Sequence, residues 1–233
     1  MPVYRLSEHP SFPNPEGAHS SGVVAIGGDL SPQRLFSAYS SGIFPWFSEG
    51  EPLMWWSPNP RFVLFPQDLK IRRSLRKTLK KTPFVIRYDT VFNEVIQYCS
   101  QLGRPGQDGT WITNHMIEAY IRFHQLGYAH SVEIFLEDRL VGGLYGVALG
   151  PFFFGESMFH LVSDASKAAL IALVTRYPQA PFIDCQVHND FFESMGAQHI
   201  PRTQFLATLK AHLHEPNQWQ ATTGTARSSF QEK

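Results

Sequence analysis

Cysteine is scarce in this chain: Cys99 and Cys185 are the only two among 233 residues. A disulfide scaffold is therefore excluded, and a zinc knuckle or ribbon would lack thiols. No apolar run reaches 18 residues, so neither a transmembrane helix nor membrane association is expected. The opening MPVYRLSEHPSFP lacks the apolar stretch of a signal peptide, and with so few thiols a reduced cytoplasmic location is expected. None of the ten histidines falls in an HExxH or similar spacing, so no metal is expected. Gly142, Gly143, Gly146 and Gly150 form neither a Walker A loop nor a strand–helix GxGxxG, and they read as close-packed β-structure. Net charge is missing too, with 20 basic residues against 20 acidic.

That zero conceals an uneven spread. Residues 70–81 read KIRRSLRKTLKK, with seven basic residues and no acid, which leaves the other 221 residues at −7. The spacing predicts a helix over 69–81, with Ile71, Leu75 and Leu79 on the buried stripe and the cations beside it. Such a face suits phosphates; a solvated amphipathic face is the plainer reading, although those usually mix both signs.

Residues 1–62 are dense in Pro, Gly and aromatics. One short helix is expected at Pro32–Ser40, capped by Ser31. Residues 42–66 then hold three Trp and four Phe. Beyond them the pattern becomes regular. Strands are expected at 84–88, 130–137, 139–148, 151–159, 181–187 and near 197–204, and helices at 90–101, 114–126, 164–177 and 189–195. The order implies an α+β chain, with a small N-terminal α/β domain (1–61) and a second domain (62–233). The second has a mixed, mostly antiparallel sheet flanked by helices and is compatible with a GNAT-like (acyl-CoA N-acyltransferase-like) fold. Residues 216–233 are polar and read as a frayed tail.

Besides the basic helix, three groups could carry chemistry. Trp46 and Trp111, on loops beside Pro or Gly, could stack on a ligand, whereas most other rings read as core. Asp184 and Gln186 alternate with Cys185 on a strand, so both point to one face, and they could orient a reacting group or be structural. Glu156 follows Phe152, Phe153 and Phe154; burying its carboxylate demands a cation or hydrogen-bond donors, from a ligand or from an internal partner.

The runs GGDLSP (27–32), GIFPWF (42–47), WWSPNPR (55–61), GTWIT (109–113), GYAHSVE (127–133), LVGGLYGV (140–147), GESMF (155–159), SKAAL (166–170) and IDCQV (183–187) resemble the bacterial leucyl/phenylalanyl-tRNA–protein transferases. The resemblance covers residues 4 to about 206. It implies transfer of Leu, Phe or Met from aminoacyl-tRNA to proteins with N-terminal Arg or Lys, marking them for the bacterial N-degron pathway and its Clp protease. It implies an N-terminal domain joined to a GNAT-like domain. The segment Met158–Ser166 lacks the acetyl-CoA loop of GNAT relatives, as expected for an aminoacyl-adenosine donor, and no cofactor is implied.

By the same resemblance, Trp46 and Trp111 hold the aminoacyl-adenosine end. Leu144 and Phe153 line the donor side-chain pocket, and Glu156 reads the acceptor's basic residue. Asp184 and Gln186 serve catalysis, and Arg76, Lys77, Lys80 and Lys81 grip tRNA phosphates. Leu144 departs from the Met of the best-known members, which leaves the order of donor preference open. A monomer is expected. The competing readings are an acetyl-CoA-dependent N-acyltransferase, a non-enzymatic tRNA-binding module, and an aminoacyltransferase acting on cell-wall peptide precursors.

Overall fold

The computed structural model describes residues 3–101, 112–219 and 226–227. The Pro-rich first quarter folds into short strands β1 (Tyr4–Arg5), β2 (Val23–Ile26), β3 (Phe44–Pro45) and β4 (Met54–Trp56), with one helix, α1 (Pro32–Ser40). The Ser31 hydroxyl accepts from the Arg34 amide and Pro32 opens the first turn, as the sequence predicts. The strands pair in the order β1-β2-β4-β3, parallel only between β1 and β2.

Strand β5 (Arg61–Leu64) falls in the Pro- and aromatic-rich stretch 42–66, which reads as rigid loops and short strands. Buried along its whole length, it begins a second sheet. Helix α2 runs Arg73–Lys81 rather than from 69. Pro66–Asp68 makes a 3-10 turn, and the Lys70 amide donates to the Met195 carbonyl at 2.8 Å, which holds the intervening segment out of helical geometry. The chain continues through β6 (Val85–Tyr88), α3 (Phe92–Gln101), α4 (Asn114–Gln125), β7 (Ala129–Leu136), β8 (Arg139–Leu149), β9 (Phe152–His160) and α5 (Ala165–Arg176). The β7–β8 turn falls on Glu137 and Asp138, both with positive φ, which gives the twist a tight hairpin needs.

The remaining elements are β10 (Ile183–Gln186), α6 (Asp190–Ser194), β11 (Gln198–Ile200), α7 (Arg202–His212) and β12 (Ala226–Arg227). The expected strand over 197–204 stops at Ile200 because Pro201 has no amide for a ladder. Pro201 instead precedes α7, whose Phe205 and Leu209 are buried one turn apart. The tail expected to fray from 216 is docked at its start, where Trp219 is buried.

The second sheet has eight strands in the order β11-β5-β10-β9-β8-β7-β6-β12. Only β9 and β10 run parallel. The chain is thus α+β with mixed sheets flanked by helices. Residues of α1, α3, α4, α7 and the smaller sheet share one apolar cluster, while α2 and α5 pack in another. Strand alternation divides β9 between them: Phe152 and Phe154 enter the first cluster, Phe153 the second. Among the described residues no helix is long and apolar enough to cross a membrane.

Candidate active site

Two neighbouring strands each carry a bulge where chemistry was expected. On β9, Ser157 opposes Tyr145 and Gly155 opposes Gly146, so Glu156 is the extra residue. Gly146 makes this possible, since a Cβ there would lie 2.2 Å from the Phe154 carbonyl oxygen. On β10, Asp184 opposes Val63 and Gln186 opposes Phe62, leaving Cys185 over. Pairing between β9 and β10 covers only Phe153–Ile183 and Phe154–Asp184. Beyond it Gln186 Nε2 reaches across and donates to Glu156 Oε1 at 2.8 Å.

Glu156 is 6% exposed. Tyr39 of α1 donates to its Oε1 at 2.7 Å, and Tyr120 of α4 donates to its Oε2 at 3.0 Å. The two phenol oxygens also touch one another. Burial pushes Glu156 up to about 8, with Tyr39 and Tyr120 pulling it down, the Asp184 charge pushing it up and Gln186 pulling it down. Burial first, then the Glu156 charge, lifts both phenols well above their usual value, so they remain donors. No Lys or Arg among the described residues is bonded to this carboxyl; its donors are all neutral.

Asp184 is fully buried and has different partners. Arg61 donates to it through Nε at 2.9 Å and Nη2 at 2.6 Å, a bidentate pair. The guanidinium lies over Phe44 and Phe205, 4.8 and 4.5 Å from their ring centres. Asp184 Oδ1 also accepts the main-chain amide of Gln186 at 2.9 Å. Gln186 has φ +64°, a conformation costly for a residue with a Cβ, and this bond helps hold it there. Asp184 therefore bonds the backbone of Gln186, not its side-chain amide.

Leu144, Phe153, Glu156, Asp184 and Gln186 line one cavity of about 100 Å³, whose floor is apolar through Leu170 and Leu173 of α5. One end offers a carboxyl and an amide, and the rest takes an apolar group.

The sequence profile described as leucyl/phenylalanyl-tRNA protein transferase matches residues 63–210, and that of its N-terminal domain matches residues 28–59. The chain belongs to the leucyl/phenylalanyl-tRNA protein transferase family. Curated relatives with that name include the Myxococcus xanthus (strain DK1622) protein, 55% identical over 93% of this chain and 94% of its own length. The Anaeromyxobacter sp. (strain K) protein is 48% identical over 94% and 97%, and that of Chromobacterium violaceum 51% over 91% and 92%.

Not every residue singled out in this transferase-family sequence meets at the cavity. Trp46 is half-buried against Trp56 (5.9 Å between rings), its carbonyl accepts from the Trp56 indole, and it does not line the cavity. Trp111 lies outside the described residues. Arg76, Lys77, Lys80 and Lys81 sit together on the exposed side of α2, over buried Leu75 and Leu79. Arg72 and Arg73 stand at the helix N-terminus with no side-chain cap, where the backbone dipole disfavours cations. Arg61, Tyr39 and Tyr120 were not singled out for the site. Arg61 closes the quoted run WWSPNPR, the one signal that pointed to it.

Proposed function

We propose that the chain transfers Leu or Phe, and also Met, from aminoacyl-tRNA to the α-amine of proteins beginning with Arg or Lys. The observation that carries this reading is Glu156: a buried carboxyl with only neutral donors, opening onto an apolar cavity. A cationic side chain supplies the charge the site lacks, and the apolar floor takes the donor side chain. The names of the relatives support the donor and the protein acceptor.

In the reaction the acceptor amine attacks the ester carbonyl of the aminoacyl-tRNA. A C–N bond forms, the ester C–O bond breaks, and the ribose oxygen leaves with a proton that balances the one lost by the amine. The ester is already activated, so alignment is the main task. In this reading Gln186 faces the reacting groups, its amide fixed by Glu156. Asp184 acts through Gln186 and is a positioning residue. Trp46 and Trp111 are assigned to the adenosine end. Leu144 and Phe153 bound the donor side chain.

The cationic face of α2 is assigned to tRNA phosphates, contacts that position without reading sequence. Lys77→Glu with Lys81→Glu is expected to weaken binding of all donor tRNAs alike and to reduce the salt slope by about 1–2. Unchanged affinity and slope in filter binding would remove that assignment.

The same reading divides the chain near residue 61, gives the second part a GNAT-like fold and places a monomer in the cytoplasm with its aminoacyl-tRNA. The short parallel β9–β10 contact that opens beside the cavity supports the fold assignment. The deciding experiment is transfer of labelled Leu from Leu-tRNA to peptides beginning with Arg, Ala or N-acetyl-Arg. Label on the free Arg peptide alone is the expected result. Tight tRNA binding with no labelled peptide would favour a binding module and overturn the reading.

A further inference from the structure

Trp219 lies far along the chain from Asp89 yet is seated on it. The indole Nε1 donates to Asp89 Oδ2 at 2.7 Å, and His130 Nδ1 lies 2.8 Å from the same oxygen. The ring stacks on His130 at 4.5 Å and on Phe153 at 5.7 Å, with the Arg176 guanidinium 4.8 Å from its ring centre. Only 7% of Trp219 is exposed. The segment leading to it is strapped across the end of β8: Asn217 Nδ2 donates to the Ala148 carbonyl at 3.1 Å, and the Gln218 amide to the Gly150 carbonyl at 3.3 Å. Asp89, His124 and His130 bring potential ligand atoms within 4.8 Å of one another. His130 is nevertheless engaged at both nitrogens, by Asp89 and the Gly127 carbonyl, and Asp89 also accepts the Ser131 amide. The cluster forms a socket for the indole.

Phe153 is where this matters. It lines the cavity, whereas Trp219 does not. Behind it stand Trp219 and Tyr177, the latter 6.0 Å away. Resting on the transfer reading above, we propose that Trp219 is a positioning residue that sets donor choice: it braces Phe153 and so fixes the depth of the cavity for the donor side chain. Without the indole, Phe153 can move back into the vacated space and the cavity deepens. A deeper cavity favours Phe over Leu.

The test is single-turnover transfer from Leu-tRNA and Phe-tRNA to an Arg peptide, both measured on one enzyme preparation. Trp219→Ala is expected to raise the Phe/Leu rate ratio about five-fold or more, within the discrimination that small changes in an apolar pocket provide. Trp219→Phe keeps a ring against Phe153 and is expected to stay within about two-fold of the wild-type ratio. Loss of folded protein lowers both rates equally and leaves the ratio unmoved, so the ratio separates donor choice from stability. Should Trp219→Ala not fold, Trp219→Val, which also empties most of the indole's space behind Phe153, is read in the same way. An unchanged ratio in the folded variant overturns the proposal while the transfer reading stands. Wild-type enzyme that transfers neither amino acid overturns both.

Discussion

Arg61→Ala is expected to lower the unfolding free energy by about 3–5 kcal/mol, because it strands a buried carboxylate. Asp184 and Arg61 are both essentially inaccessible to solvent, and the guanidinium donates twice to the carboxylate between two phenyl rings. At about 2–4 °C per kcal/mol for a chain of this size, the midpoint should fall by roughly 6–20 °C in a calorimetric scan. The paired replacement Arg61→Met with Asp184→Leu removes both charges and should regain most of that stability. It should not regain transfer, because the Gln186 amide then loses the acceptor that holds it at positive φ. A double variant that is stable and transfers at the wild-type rate would show that Asp184 has no positioning role.

Glu156→Gln is expected to cut kcat/KM for the acceptor peptide by about 30- to 3,000-fold, equivalent to about 2–5 kcal/mol of lost charge pairing. On the proposed reading, in which Glu156 meets the acceptor, the Leu-tRNA KM should hardly move. The pH dependence follows from the titration. Burial holds the carboxyl at about 8, so near neutrality the free site is protonated, and a bound cation must displace that proton. Acceptor kcat/KM therefore rises with pH through about 8. The acceptor's own α-amine, with an ordinary value of about 7.7–8.0, loses its proton over the same interval. Wild-type enzyme should show a limb reporting two protons, and Glu156→Gln a limb reporting one.

Stability changes in the opposite sense. A folded value raised from 4.5 to about 8 means that the folded state holds the proton more tightly than the unfolded chain. The contribution is complete below 4.5 and is lost as pH rises through about 8. Glu156→Gln, a permanent mimic of the protonated form, should gain midpoint temperature relative to wild type between pH 5 and pH 9. Parallel midpoint curves for the two proteins would contradict the raised carboxyl.

Local signals made part of this structure legible in the sequence. Ser31 and Pro32 marked α1, Thr113 or Asn114 marked the start of α4 (the structure caps it with Thr113), and period-two runs marked the meander. Glu156 stood out because an acid beside three phenylalanines is costly, and Gln186 because it shares a strand with Asp184. What stayed hidden depends on partners remote in sequence. Arg61 follows a proline-rich turn and reads as surface until Asp184, 123 residues later, accepts its charge. Tyr39 looks like the apolar side of a short helix until its hydroxyl meets Glu156, 117 residues away. Trp219, among polar neighbours, finds Asp89 across 130 residues. The two bulges were hidden for another reason: strict alternation gives no warning of an extra residue, although Gly146 and Gly155 are its trace.

The triangle of Tyr39, Tyr120 and Glu156 has a consequence for how the protein comes into being. Synthesis is vectorial, at about 5–20 residues per second, so roughly 10–40 s separate Tyr39 from Trp219. Throughout that interval the growing chain carries phenols without their carboxyl, then a carboxyl without Gln186, then a cavity without its brace. Each part waits on one not yet made. A nascent chain therefore cannot make the Glu156–Gln186 contact until both β9 and β10 have been synthesised.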